Sequence, residues 1–253
     1  MPCWRPGPRV AGSAIIHPVE TLKLAIQHKT PEPREETSPT GEVRVEDGAR
    51  RAVLLTPDRI DPERRYPLIT VLHGAGRREE MLIKAYRKEP GAREALFLIP
   101  RSHHPTWDLI AANDRPDLDF LEWAYDLIYR RYPVDPDRQG LIGYSDGASY
   151  ALSVALSNPG IFRAVMGWAA GFLVLDPTSI SAEDPKPSVL LEYGTHDQLF
   201  PFERVAIPMR EKLERMGYAV NFRVDQGGRH WPSGEFQPEA LDWFFSEPCG
   251  EPS

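Results

Sequence analysis

Residues 143–147 read Gly-Tyr-Ser-Asp-Gly. The apolar run "QGLIGY" leads into them and the helical run "GASYALSVALSNP" leads out. A serine held between glycines at a strand-to-helix turn has its hydroxyl pushed out at the helix N-terminus, because the glycines relieve the crowding such a turn creates. That hydroxyl is a nucleophile if a base reaches it, and an ordinary helix cap if none does. The choice depends on where else reactive side chains follow apolar runs.

Three other places qualify. "LITVLHGAG" ends in His73-Gly74-Ala75-Gly76. A loop there would bring the Ala75 N–H opposite the serine and, with the N–H of Asp146, supply two donors to an oxyanion. Asp146 itself reads as an acidic residue favoured in the first turn of a helix. "EYGTHDQLFP" offers Asp197 just past a strand, in position to orient and stabilise a histidine. Asp176 and Asp184 fit less well, lying in a Pro/Ser-rich loop. "DQGGRHWP" offers His230 as the base that takes the Ser145 proton and returns it to the leaving group. His73 and the pair His103 and His104 precede the serine, His17 and His28 lie near the N-terminus, and His196 adjoins Asp197, so none fits the base as well. His73 reads as a residue that stabilises its own loop. The resulting order is Ser145, Asp197, His230, the order of α/β-hydrolases.

Such a site needs strands that end along one edge. "EVRV" and "RAVLL" flank "EDGA" as a hairpin with an Asp-Gly turn. Apolar runs at 67–73, 95–100, 139–144, 162–168, 188–194 and 219–224 read as strands buried on both faces. Helical patterns cover 117–132, 202–217 and 238–245, with Pro208 expected to kink or break the second and Gly217 to end it. Strands alternating with helices predict an α/β fold: a mostly parallel eight-stranded sheet with helices on both faces, an antiparallel N-terminal hairpin, and little or no lid. Residues 173–187 leave only a short stretch for a cap. Residues 1–41, with the Pro/Ser/Glu-rich "TPEPREETSPT", read as a peripheral or partly disordered extension, holding at most a short amphipathic helix near 15–28; residues 42–253 form the catalytic domain.

The chain has 253 residues, a net charge of −7 and no apolar run of membrane-spanning length, which argues against nucleic acid, anionic membrane or membrane insertion as a partner. With no signal-peptide pattern at the start, a cytoplasmic location is expected. Cys3 and Cys249 lie one at each end and belong to no metal motif; a disulfide between them is one possibility and two free thiols the other.

"LHGAGR", "GYSDGASYALSVALSNP", "YGTHDQLFP" and "GGRHWP", with "TWD" at 106–108, resemble α/β-hydrolase serine esterases of the phospholipase/carboxylesterase group and their polyhydroxybutyrate-depolymerase-like and feruloyl-esterase-like relatives, over about residues 50–246. The resemblance implies a serine esterase without metal or organic cofactor. Relatives often carry Gln where this chain has Asp146. Trp107, Trp168, Phe172 and Trp231, with Phe200, fall in or near strand-end loops and are expected to line an acyl or aryl pocket. The expected substrates are short-chain or aryl esters. Feruloyl or terephthalate-type polyesters are the alternative, and a serine peptidase or a non-catalytic receptor on the same scaffold are more distant ones.

Overall fold

The sheet opens with a tight hairpin. Strands β1 (Glu42–Asp47) and β2 (Arg50–Leu55) pair antiparallel, with Asp47 opposite Arg50. The turn is therefore Gly48-Ala49, one residue later than Asp-Gly, and Gly48 takes the positive φ of 62° that the first position of such a turn requires. Asp47 instead ion-pairs with Arg50 across the turn. The computed structural model describes residues 22–25, 38–108, 115–174, 181, 183–232 and 234–246.

Six further strands follow: β3 (Tyr66–Leu72), β4 (Leu96–Pro100), β5 (Val134–Tyr144), β6 (Ala164–Trp168), β7 (Ser188–Gly194) and β8 (Val220–Asp225). They form one eight-stranded sheet in the order β1-β2-β4-β3-β5-β6-β7-β8. β2 runs antiparallel to β4, and β4, β3, β5, β6, β7 and β8 are all parallel. Every residue of β3, β4 and β6 is buried, as their unbroken apolar runs require. The edge strand β8 is only half-buried, which its run did not reveal.

The α-helices among the described residues are α1 (Glu79–Tyr86), α2 (Glu89–Arg93), α3 (Pro116–Arg131), α4 (Asp146–Ser157), α5 (Ile207–Arg215) and α6 (Phe236–Ser246). As expected at Pro208, the run 202–217 is not one regular α-helix. Residues 202–206 form a π-helical turn, and α5 begins after it with Pro208 in its first turn, where no intrahelical N–H is needed. Gly217, at φ 80°, stands just beyond the helix as expected.

Two glycines of β5 fix the layers. A Cβ on Gly140 would lie closer than 3.0 Å to the Phe244 ring of α6, and one on Gly143 would lie equally close to the Gly147 backbone of α4. Residues three apart on a strand face opposite ways, so α6 and α4 cover opposite faces of the sheet.

Part of the N-terminal extension is docked. Leu22 and Leu24 are buried; the Leu24 N–H donates to Asn158 Oδ1 at 2.7 Å, and Asn158 Nδ2 donates to the Leu22 carbonyl at 2.8 Å. For these residues the peripheral reading gives way, because Asn158 offers their backbone a buried amide. Most of the extension, the helix near 15–28 apart from residues 22–25, both cysteines, Asp176 and residues 175–180 of the cap stretch lie outside the described residues.

Candidate active site

β3, β5, β7 and β8 end along the same edge of the sheet, and Ala75, Ser145, Asp197 and His230 follow them in that order. Ser145 has φ 55° and ψ −118°, a conformation L-residues avoid. Gly147 makes the turn possible: a Cβ there would lie closer than 3.0 Å to the carbonyls of Leu72 and His73. Ser145 opens α4, yet its hydroxyl makes no helix cap. The hydroxyl lies 2.9 Å from His230 Nε2 instead, and His230 Nδ1 lies 2.8 Å from Asp197 Oδ2.

The glycines of "DQGGRH" explain how His230 reaches that point. A Cβ on Gly194 would lie closer than 3.0 Å to the Gly228 and Arg229 backbone, so the loops after β7 and β8 lie against each other. They are joined by Thr195 N–H to the Asp225 carbonyl at 3.0 Å, His196 N–H to the Gly228 carbonyl at 2.8 Å, and Gly227 N–H to Thr195 Oγ1 at 2.8 Å. His196 is exposed. Asp197 is buried. Its Oδ1 accepts the N–H groups of Leu199 and Phe200 at 2.8 and 2.9 Å, which leaves Oδ2 for the histidine. With that carboxylate on Nδ1–H, Nε2 is the nitrogen with an acceptor lone pair toward Ser145.

The loop 73–77 runs directly against the elbow. The Gly74 Cβ position lies 3.2 Å from the Tyr144 carbonyl oxygen and 3.3 Å from Ser145 Cβ. His73 is buried: its Nδ1 donates to the Gly74 carbonyl at 2.7 Å, and its Nε2 accepts the Ser102 N–H at 3.1 Å. Burial holds its pKa below the ordinary histidine value, consistent with a neutral ring that makes both bonds. The Gly76 N–H is spent on the Pro105 carbonyl at 2.7 Å, while the Ala75 N–H makes no hydrogen bond among the described residues. The Asp146 carboxylate accepts the Thr106 hydroxyl at 2.7 Å, which ties the first turn of α4 to the loop after β4.

Two of the expected pocket aromatics are corrected. Trp107 is 1% exposed, stacks on His73 and Tyr150, and donates its indole N–H to the His73 carbonyl at 2.8 Å. It braces the 73–77 loop and is not among the residues lining the cleft described below. Trp168 is fully buried against Phe236. Its indole N–H donates to the His230 carbonyl at 2.7 Å, and its own carbonyl accepts the Ser145 N–H at 2.8 Å. In both residues the aromatic bulk fills the space under the site, and the polar edge orients a loop. Phe172 is half-buried, with its N–H 3.3 Å from Ser149 Oγ, and is not among the residues lining the cleft described next. Phe200 meets the His230 ring edge-on at 5.2 Å, in the space that Gly171 leaves open.

Trp231 does reach open space. It is 58% exposed and lies under the Arg78 guanidinium, 5.0 Å from the ring centre. Together with Ala75, Met81, Leu82, Tyr144 and Gln237 they line a cleft of about 200 Å³ that adjoins the elbow through Gly74 and Tyr144, with Ser145 and His230 themselves outside its lining. The α1 residues of this wall were missed in the sequence: Ile83 and Tyr86 face the core, while the apolar Met81, Leu82 and Ala85 stand on the outer side of the helix that follows "HGAG".

Comparison with known proteins finds relatives named as esterases and hydrolases. Over 152 residues, 56% of this chain and 43% of the relative, the sequence is 34% identical to NocK of Nocardia uniformis subsp. tsuyamanensis, provisionally named an esterase. It is 27% identical over 135 residues to S-formylglutathione hydrolase of Bos taurus, covering 41% of this chain and 46% of that enzyme. The matches thus span less than half the length of either relative. The structure superposes on fluorophosphonate-binding serine hydrolase F of Staphylococcus aureus with a TM-score of 0.66 and 14% identity, over 81% of this chain and 98% of the other. The fold is that of an α/β-hydrolase. No protein-family model matches the chain. No helix among the described residues is long and apolar enough to cross a membrane.

Proposed function

We propose that this α/β-hydrolase cleaves carboxylic esters through a Ser145 acyl-enzyme. The observation that carries the reading is the continuous line Ser145 Oγ, His230 Nε2, His230 Nδ1, Asp197 Oδ2, with both links shorter than 3.0 Å and the serine held at a strained elbow. His230 removes the Ser145 proton as the oxygen attacks the ester carbonyl. The N–H groups of Ala75 and Asp146 receive the oxyanion. His230 then passes the proton to the departing alcohol, and water repeats the two steps on the acyl-enzyme. Asp197 holds the imidazole in the required tautomer and stabilises its charged form.

The cleft supports a small ester. An apolar cavity of about 150 Å³ holds one benzene ring, so about 200 Å³ suits a single aryl ring or a short acyl chain. The exposed Trp231 in its lining favours an aryl group, which keeps feruloyl and aromatic polyester substrates as the second reading.

Labelling with a fluorophosphonate probe, followed by a p-nitrophenyl ester series from acetate to palmitate, tests the proposal. Modification at Ser145 and hydrolysis biased to the short esters are expected. An unmodified Ser145 sinks the reading and favours a non-catalytic receptor.

A further inference from the structure

Beyond the 73–77 loop, on the same sheet edge as Ser145, a second concavity of about 310 Å³ is lined by Ala49, Arg50, Arg51, Arg77, Arg101, Ser102 and His103. Four guanidinium groups and one imidazole converge there, and the lining contains no carboxylate. This is unexpected in a chain of net charge −7. The arginines come from three separate segments. Arg50 and Arg51 begin β2, Arg101 and His103 follow β4, and Arg77 follows β3; the Arg101 N–H donates to the Arg51 carbonyl at 3.0 Å.

Ion pairs among the described residues match only part of this charge. Arg50 pairs with Asp47 at the hairpin turn. Arg51 and Arg101 share one oxygen of the buried Glu79, at 3.7 and 3.2 Å. Arg77 Nε donates to the His104 carbonyl at 2.8 Å, and Arg77 forms no ion pair among the described residues. Two carboxylates, Asp47 and Glu79, thus make ion pairs with the four guanidiniums, and the buried Asp117, which accepts the His103 N–H, adds its field at Arg77. Arg77 also holds a left-handed backbone, φ 53°, at a position where glycine would sit without strain.

We propose that this concavity binds a small molecule through a doubly or more highly charged phosphate group, such as a pyrophosphate. Guanidinium forks match phosphate oxygens in pairs, and a concave wall of one sign concentrates the field. The inference is independent of the esterase reading. Ser145→Ala should leave this binding unchanged, so the two fail separately.

Isothermal titration calorimetry of the full chain with inorganic pyrophosphate tests it. A dissociation constant on the order of 0.1 mM is expected, with inorganic phosphate weaker and sodium chloride at matched ionic strength silent. The Arg50→Gln/Arg77→Gln double variant should lose about tenfold or more in affinity. Arg210→Gln, which removes an arginine on distant α5, should lose none. If circular dichroism shows the double variant unfolded, Arg50→Gln alone serves, with a smaller loss expected. No binding beyond the salt control, or equal affinity in wild type and pocket variants, overturns the proposal.

Discussion

Thr106 donates its hydroxyl to the Asp146 carboxylate at 2.7 Å. The side chain beside the proposed oxyanion donor thus has a structural role: it fastens the residue whose N–H must point at the substrate. Thr106→Val keeps the shape and removes the donor. A hydrogen bond to a charged, half-buried group contributes about 1–2 kcal/mol. The expected loss in kcat/KM is therefore roughly tenfold, mostly in kcat, and steady-state kinetics on p-nitrophenyl acetate measure it.

Asp197 accepts three N–H groups with two oxygens. Asn at this position puts an amide N–H where one of those bonds was accepted, so either the turn at Leu199–Phe200 or the His230 tautomer is lost. Asp197→Asn should lower kcat by about 10⁴, the scale of a wrong-tautomer histidine. Retention of a tenth of the wild-type rate would remove Asp197 from the mechanism.

Gly147 and Gly91 should respond in opposite directions. A Cβ on Gly147 meets two rigid carbonyls, whereas one on Gly91 in α2 meets nothing within 4 Å. Gly147→Ala should cost about 3 kcal/mol or more, or prevent folding, since backbone cannot give way as a side chain can. Gly91→Ala should be neutral or stabilise by up to about 1 kcal/mol, as alanine does in a helix. Urea denaturation of the two variants measures both.

Asp117 gives a stability profile with a definite sign. Burial, and then the neighbouring Asp108, push its pKa up to about 7. The unfolded chain releases that proton near the ordinary carboxyl value, so the folded state binds it more tightly between the two. The stabilisation is full at acidic pH below the unfolded value and is lost as pH rises through about 7. Between about pH 5 and pH 8, the Asp117→Asn variant should lose less stability than wild type. Parallel urea midpoints for both proteins would contradict this assignment.

Ser145, Asp197 and His230 were legible in the sequence because each combines a reactive side chain with an apolar run that stops just before it. The strands themselves read clearly for the same reason: burial on both faces demands unbroken apolar runs, as in β3 and β4. Trp107 and Trp168 were misread because an aromatic in a strand-end segment looks the same from the sequence whether it faces ligand or core. α2 escaped because "EPGAR" carries both Pro and Gly, the poorest helix formers, and is held by its packing. Arg78 and Gln237 could not be paired with Trp231 from spacing, since the fold alone brings α1, α6 and the last loop to one cleft.

Trp168 holds Ser145 by its backbone and His230 by its side chain. Proposed attacker and proton acceptor are therefore registered to one rigid part, like two tools mounted on a single post. A shift of β6 would carry Ser145 and His230 together and leave their separation little altered. Neighbouring loops could then vary in length or sequence, and substrate preference with them, without retuning the spacing on which proton transfer depends.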